Sequence, residues 1–163
     1  GRWKKVGYST TVKPDKYDSI VLYGLEAGKY RLALKTPKDQ IINVEYTRDK
    51  SKKKAAYKKS KAINLKSDID SIYTSTEKAA RWYKVSVSST KKRKAVTLSK
   101  DSVGGGFKFR VYQKGKRLKT VRVTKNDKVK TVKLPKKKGT YYVKVTKLTS
   151  KTTGAYYLGT YTY

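Results

Sequence analysis

FKFRVYQKGKRLKTVRVTK, residues 107–125, sets apolar and basic side chains in alternation on either side of a glycine-containing turn. Alternation with period two is the mark of a strand, because successive side chains leave a pleated backbone on opposite faces. On the first arm Phe107, Phe109 and Val111 share one face; Lys108, Arg110 and Tyr112 share the other. The second arm, KTVRVT at 119–124, repeats the pattern, and QKGK at 113–116 carries turn chemistry between them. One face of such a pair builds a core. The other is basic enough to need a partner.

Working outward, the same signal recurs. RWYKVSV (81–87), KAVTLS (94–99), KVKTVKL (128–134), TYYVKVTKL (140–148) and GAYYLGTYTY (154–163) are rich in β-branched and aromatic residues. Turn residues separate them: GGG at 104–106, KND at 125–127, PKKKG at 135–139 and KTTG at 151–154. Short strands at this spacing predict an all-β fold, an antiparallel, jelly-roll-like β-sandwich with little or no helix. One helical turn is conceivable at EKAARWY (77–83). The first part of the chain reads in the same way, with expected strands at 19–25, 29–35 and 41–47.

The expected organisation is an N-terminal β-strand region, 1–60, packed on or continuous with a main sandwich at 61–163. Residues 15–47 and 127–162 form a weak repeat in which Leu25/Leu134, Gly28/Gly139 and Tyr30/Tyr141 fall in step. It reads either as a half-domain duplication or as two hairpins shaped by the same physics. Between the halves, TRDKSKKKAAYKKSKA (47–62) reads as a solvated linker or long loop, with a flexible polyanion-wrapping arm as the functional alternative.

Composition decides the class of partner. The chain has 43 Lys and Arg against 11 Asp and Glu, a net charge of +32 over 163 residues. No fold requires that charge, and solubility needs far less. Of the 43 bases, 35 are Lys, which favours diffuse charge matching over bidentate reading of bases or phosphates. Aromatic residues make up 12%, enough for a core that basic disordered tails lack. With no His and no Cys, neither a His-based triad nor a thiol mechanism can be built, and no disulfide forms. The few carboxylates lie among many ammonium groups that keep them ionised. The chain is expected not to be an enzyme and to need no cofactor. No stretch nears the roughly 18 apolar residues of a membrane span. GRWKKVGYST shows no signal peptide, and the absence of Met fits a fragment or processed form of a longer, secreted chain.

Residues 61–163 resemble the bacterial pre-peptidase C-terminal domains, which include the collagen-binding modules of clostridial collagenases. The resemblance rests on RWYKVSV, on GGFKFRVYQKGKRLKTV, and on Gly139, Thr140, Tyr141, Tyr142, Val143, Val145, Gly154, Tyr156 and Leu158 near the end. It implies a small, secreted, non-catalytic jelly-roll module attached to a larger protein. Several members hold calcium with clustered carboxylates. Here only Asp68, Asp70 and Glu77 cluster, and an Asx-type turn explains the two aspartates as well. The Lys excess also departs from the family. Binding of a protein such as collagen would follow from the resemblance alone.

The candidate binding residues are the outward members of the basic strands and the tips beside them. Trp82, Lys84, Lys108, Arg110, Tyr112, Arg122, Tyr142 and Lys144 alternate away from the expected core. Lys114, Lys116, Arg117 and Lys119 crowd a hairpin tip, and Lys136, Lys137 and Lys138 crowd another. The expected partner is an acidic polysaccharide: pectin-type polygalacturonate, a glycosaminoglycan or an anionic wall polymer. The expected role is that of an extracellular adhesin or carbohydrate-binding module at a bacterial cell surface. Nucleic acid is the alternative partner for the same surface; the low Arg count and the lack of a recognition-helix or RNP-type motif weigh against it. The GGG run is expected to be a hinge or bulge before a strand, since no Lys-Ser/Thr follows it.

Overall fold

Period-two alternation becomes period-two burial. Along Arg81–Val87 every second residue is buried, and Tyr83 and Val85 are fully so. The computed structural model describes residues 3, 9–13, 16, 18, 29–36, 43–45, 55–65, 72–75, 80–101, 105–124, 126–150, 152 and 155–163. Among these it forms β1 (Ile63–Asn64), β2 (Ile72–Ser75), β3 (Arg81–Val87), β4 (Lys94–Asp101) and β5 (Phe107–Gln113). These are followed by β6 (Lys116–Val123), β7 (Val129–Lys133), β8 (Gly139–Lys147) and β9 (Ala155–Thr162). One 3-10 turn, Lys59–Lys61, is the helical content of the described residues.

The strands make two sheets, β1-β3-β8-β5-β6 and β2-β9-β4-β7. All pairings are antiparallel except β1 with β3, which is parallel. The protein is an antiparallel β-sandwich. Tyr83, Val85, Phe109, Val111, Tyr141 and Val143 of the first sheet face Val96, Leu98, Tyr156 and Leu158 of the second in one core.

From β3 onward, only β5–β6 is a hairpin within a sheet; every other connection carries the chain across the sandwich. Its two-residue loop holds Lys114 at φ 47° and Gly115 at φ 79°, the positive dihedrals that a type I′ turn demands. The GGG run has a different use. Gly106 packs so tightly on β6 that an added Cβ would meet the Val123 carbonyl oxygen at 2.0 Å. Thr152, fully buried, closes this corner: its hydroxyl donates to the Gly106 carbonyl at 2.9 Å and accepts from the Gly106 amide at 3.1 Å.

Three expectations change. Residues 29–35, read as a strand, are exposed and outside any strand, and so are residues 43–45 of the expected strand 41–47. Leu32 and Leu34 alternate in sequence, but both are exposed among the described residues, so period alone does not make a strand there. Tyr30 is exposed where Tyr141 is buried, so the proposed repeat partners occupy unlike environments; Leu25 and Gly28 lie outside the described residues, as does the expected strand at 19–25. Finally, the end of the basic run is no free linker. Ala56 is buried and its carbonyl accepts the Trp82 amide at 2.8 Å; Leu65 enters the core and its amide donates to the Lys84 carbonyl at 2.9 Å. Residues 55–65 thus strap the free edge of β3. Their buried apolar members, Ala56, Ala62 and Leu65, recur with neither the period of a strand nor that of a helix, so no pattern shows in the sequence.

Candidate functional site

The outward face of the five-stranded sheet gathers most of the candidate residues. Register places them in rows across the strands. One row is Trp82, Lys144, Arg110 and Thr120. The next is Lys84, Tyr142, Tyr112 and Arg117. A third holds Thr146, Lys108 and Arg122. Residues brought together here span 82 to 146 of the sequence and come from four strands.

Rings and cations interleave within these rows. The rings of Trp82 and Tyr112, two strands apart, lean over β8 to a centroid separation of 5.7 Å at 41°. Lys144 Nζ stands 5.2 Å from the Trp82 ring centroid. Lys59 Nζ stands 4.6 Å from that of Tyr142. Both separations suit a cation–π contact, in which the ring quadrupole attracts the ammonium group. Trp82, Lys84, Lys108, Arg110, Tyr112, Tyr142 and Lys144 are all half-buried, because neighbours across the strands pack their stems.

Lys59 was not foreseen. It sits in the run read as a linker, and only the strap along β3 brings it over Tyr142. Two foreseen residues lie off the face. Lys119 pairs with Val111, which points into the core, and Lys116 pairs with Gln113 beyond a register shift at Val111/Tyr112. Lys119 therefore stands on the inner side of the edge strand β6 and reaches water around it. An inward lysine on an edge strand also hinders pairing with another chain.

The tips meet at one end. The Gln113 side-chain amide donates to the Lys138 carbonyl at 3.4 Å, and Val87 pairs with Gly139. The loop with Lys114, the loop with Lys136, Lys137 and Lys138, and the β3–β4 loop with Lys91 and Lys92 therefore share one end of the sandwich. Of residues 81–163 only Asp101 and Asp127 are acidic, and both belong to the opposite end, where Lys100 bonds to Lys128. Asp127 is already engaged. Lys130 at 2.7 Å, then the amide and hydroxyl of Thr124 at 2.9 and 2.7 Å, hold its carboxyl well below the usual range.

Asp68, Asp70 and Glu77 lie outside the described residues, and among the described residues no group of three or more His, Cys, Asp or Glu is placed to hold a metal. Nor is any described helix long and apolar enough to cross a membrane.

This sandwich has a known likeness. The chain is similar to the pre-peptidase C-terminal domain of a collagenase from Bacillus anthracis, with 17% identity and a TM-score of 0.46, over 69% of this chain and 99% of that one. It is the domain type that residues 61–163 resemble in sequence. No protein-family model matches the chain, and no curated protein matches it. The outward face offers rings for stacking and ammonium and guanidinium groups for anions.

Proposed function

We propose that this sandwich is a non-catalytic module that binds an acidic polysaccharide along the outward face of its five-stranded sheet. In this reading it works outside the cell, as an adhesin or carbohydrate-binding part of a bacterial surface or secreted protein. The observation that carries the reading is the interleaving of Trp82, Tyr112 and Tyr142 with Lys144, Lys59, Arg110 and Lys84. Sugar rings stack on aromatic rings through their C–H faces while carboxylates or sulfates meet the cations. Exposed ion pairs are individually weak, so affinity comes from the number engaged along a polymer and from released counterions.

The test is a competition at about 150 mM salt, where screening reaches roughly 8 Å. De-esterified polygalacturonate, its methyl-esterified form, heparin, a teichoic-acid-type polymer, single-stranded DNA and duplex DNA are offered at matched charge. One acidic glycan or wall polymer should win, and its neutralised form should fail. Trp82→Ala should weaken that binding about tenfold or more, and Lys144→Ala should weaken it less. If DNA wins, or if all polyanions bind alike and Trp82→Ala changes nothing, the reading is wrong.

A further inference from the structure

The opposite sheet carries a second array of outward aromatic rings. Along β9 the residues that alternate away from the core are Tyr157, Gly159 and Tyr161; Tyr163 continues the series just beyond it. Register sets Tyr161, Ala95 and Lys133 in one row, Gly159, Thr97 and Thr131 in the next, and Tyr157, Ser99 and Val129 in a third. Arg93 and Tyr163 exchange backbone hydrogen bonds at 2.9 and 3.1 Å, which adds a further pair at the basic end.

The geometry is that of a shallow trough. Its middle row is low, because Gly159 has no side chain and Thr97 and Thr131 are short and bonded to each other at 3.0 Å. Tyr161 and Tyr157 rise on either side. Tyr161 and Tyr163 are 38% and 44% exposed, their rings 5.8 Å apart at 47°, and Lys133 Nζ lies 5.1 Å from the Tyr163 ring centroid. Ala95, although it points outward, is fully buried beneath this group. Exposed rings held in place beside cations, above a floor of hydroxyls, match a saccharide that bears anionic groups.

We infer that this trough is a second binding surface for the same class of acidic polysaccharide, which makes the protein a cross-linker of two polymer strands. The inference rests on the proposed function. Two packed sheets put their outer faces on opposite sides of the molecule, so a stiff strand lying on one cannot also lie on the other. Charge complementarity fixes the occupant: Lys133 and Arg93 stand where residues 81–163 supply no acidic side chain, since Asp101 and Asp127 are at the far end.

The experiment measures valency on the full chain. Short oligosaccharides of de-esterified galacturonate and of heparin are titrated by calorimetry. Long polymers of each are then mixed with the protein, and light scattering is followed across the mixing ratio. The expected result is two oligosaccharides per chain for the favoured probe, and scattering that peaks near equivalence and falls in excess polymer. Tyr161→Ser with Tyr163→Ser, both exposed positions, should reduce two to one and abolish the peak while leaving a Trp82-dependent site. Trp82→Ala should also leave one site, the tyrosine-dependent one. One site in the wild-type chain, lost in Trp82→Ala and untouched by the tyrosine changes, overturns the cross-linker and leaves the first face standing. One site lost only with the tyrosines also overturns the cross-linker, and it removes the first face instead. Equal scattering with polyglutamate, unchanged in every variant, overturns both faces in favour of charge alone.

Discussion

Tyr83 and Tyr156 meet hydroxyl to hydroxyl at 2.8 Å inside the core, their rings edge to face. Burial, and then the neighbouring Tyr83, push the Tyr156 phenol well above its ordinary value, although the guanidinium of Arg81 pulls the other way. Arg81 is itself buried and stacks on Tyr57 at 4.5 Å. A phenol that ionises less readily folded than unfolded contributes stability that is intact below pH of about 10, the unfolded value. That contribution is lost as pH rises past it, when the unfolded chain sheds protons that the native one keeps. Tyr156→Phe should cost about 1 kcal/mol at pH 8 through the lost hydrogen bond. It should also narrow its deficit against the wild type at pH 11. Urea midpoints of the two proteins at both values check this; a deficit that stays constant or widens with pH would contradict it.

At the scale of elements, the β5–β6 hairpin links stability to display. Its type I′ loop forces Lys114 into the left-handed region, where an L-residue other than Gly, Asn or Asp is strained. The position keeps a cation at the tip of the basic end instead of the residue the turn prefers. Lys114→Asn should therefore stabilise the fold by up to about 1 kcal/mol while slightly weakening polyanion binding. Chemical denaturation and a binding titration on the same protein read both signs. The β3 edge shows the converse trade. Residues 55–65 spend Ala56, Ala62 and Leu65 on covering it and thereby deliver Lys59 to the binding face.

For the whole molecule, +32 charges on one chain repel one another in the folded state. Their uneven placement heightens this at the basic end, where three loops meet without a carboxylate from the sandwich strands. Raising salt from 10 to 150 mM shortens the screening length from about 30 to about 8 Å. The thermal midpoint of the free protein should rise over that range, whereas affinity for a polyanion should fall. Calorimetry with and without polygalacturonate measures the two together. A midpoint that falls with salt in the free protein would mean that repulsion does not limit its stability.

The sequence by itself determined the strands from β3 to β9, their inward faces and the net charge. Tyr83, Phe109, Val111, Tyr141 and Val143 were assigned to the core from alternation and are buried there, because side-chain direction in a strand is a local property of the pleat. Net charge is a sum and needs no structure. Tertiary structure alone decided which outward residues become neighbours. The 5.7 Å approach of Trp82 to Tyr112, the arrival of Lys59 over Tyr142 and the convergence of three loops at one end are contacts between distant parts of the chain. The odd-numbered tyrosines of GAYYLGTYTY were legible as one face, but Lys133 comes to Tyr163 only because β4 sets β7 and β9 on its two sides. Alternation fixes which way a side chain points; strand order, set by packing of the whole core, fixes what it meets.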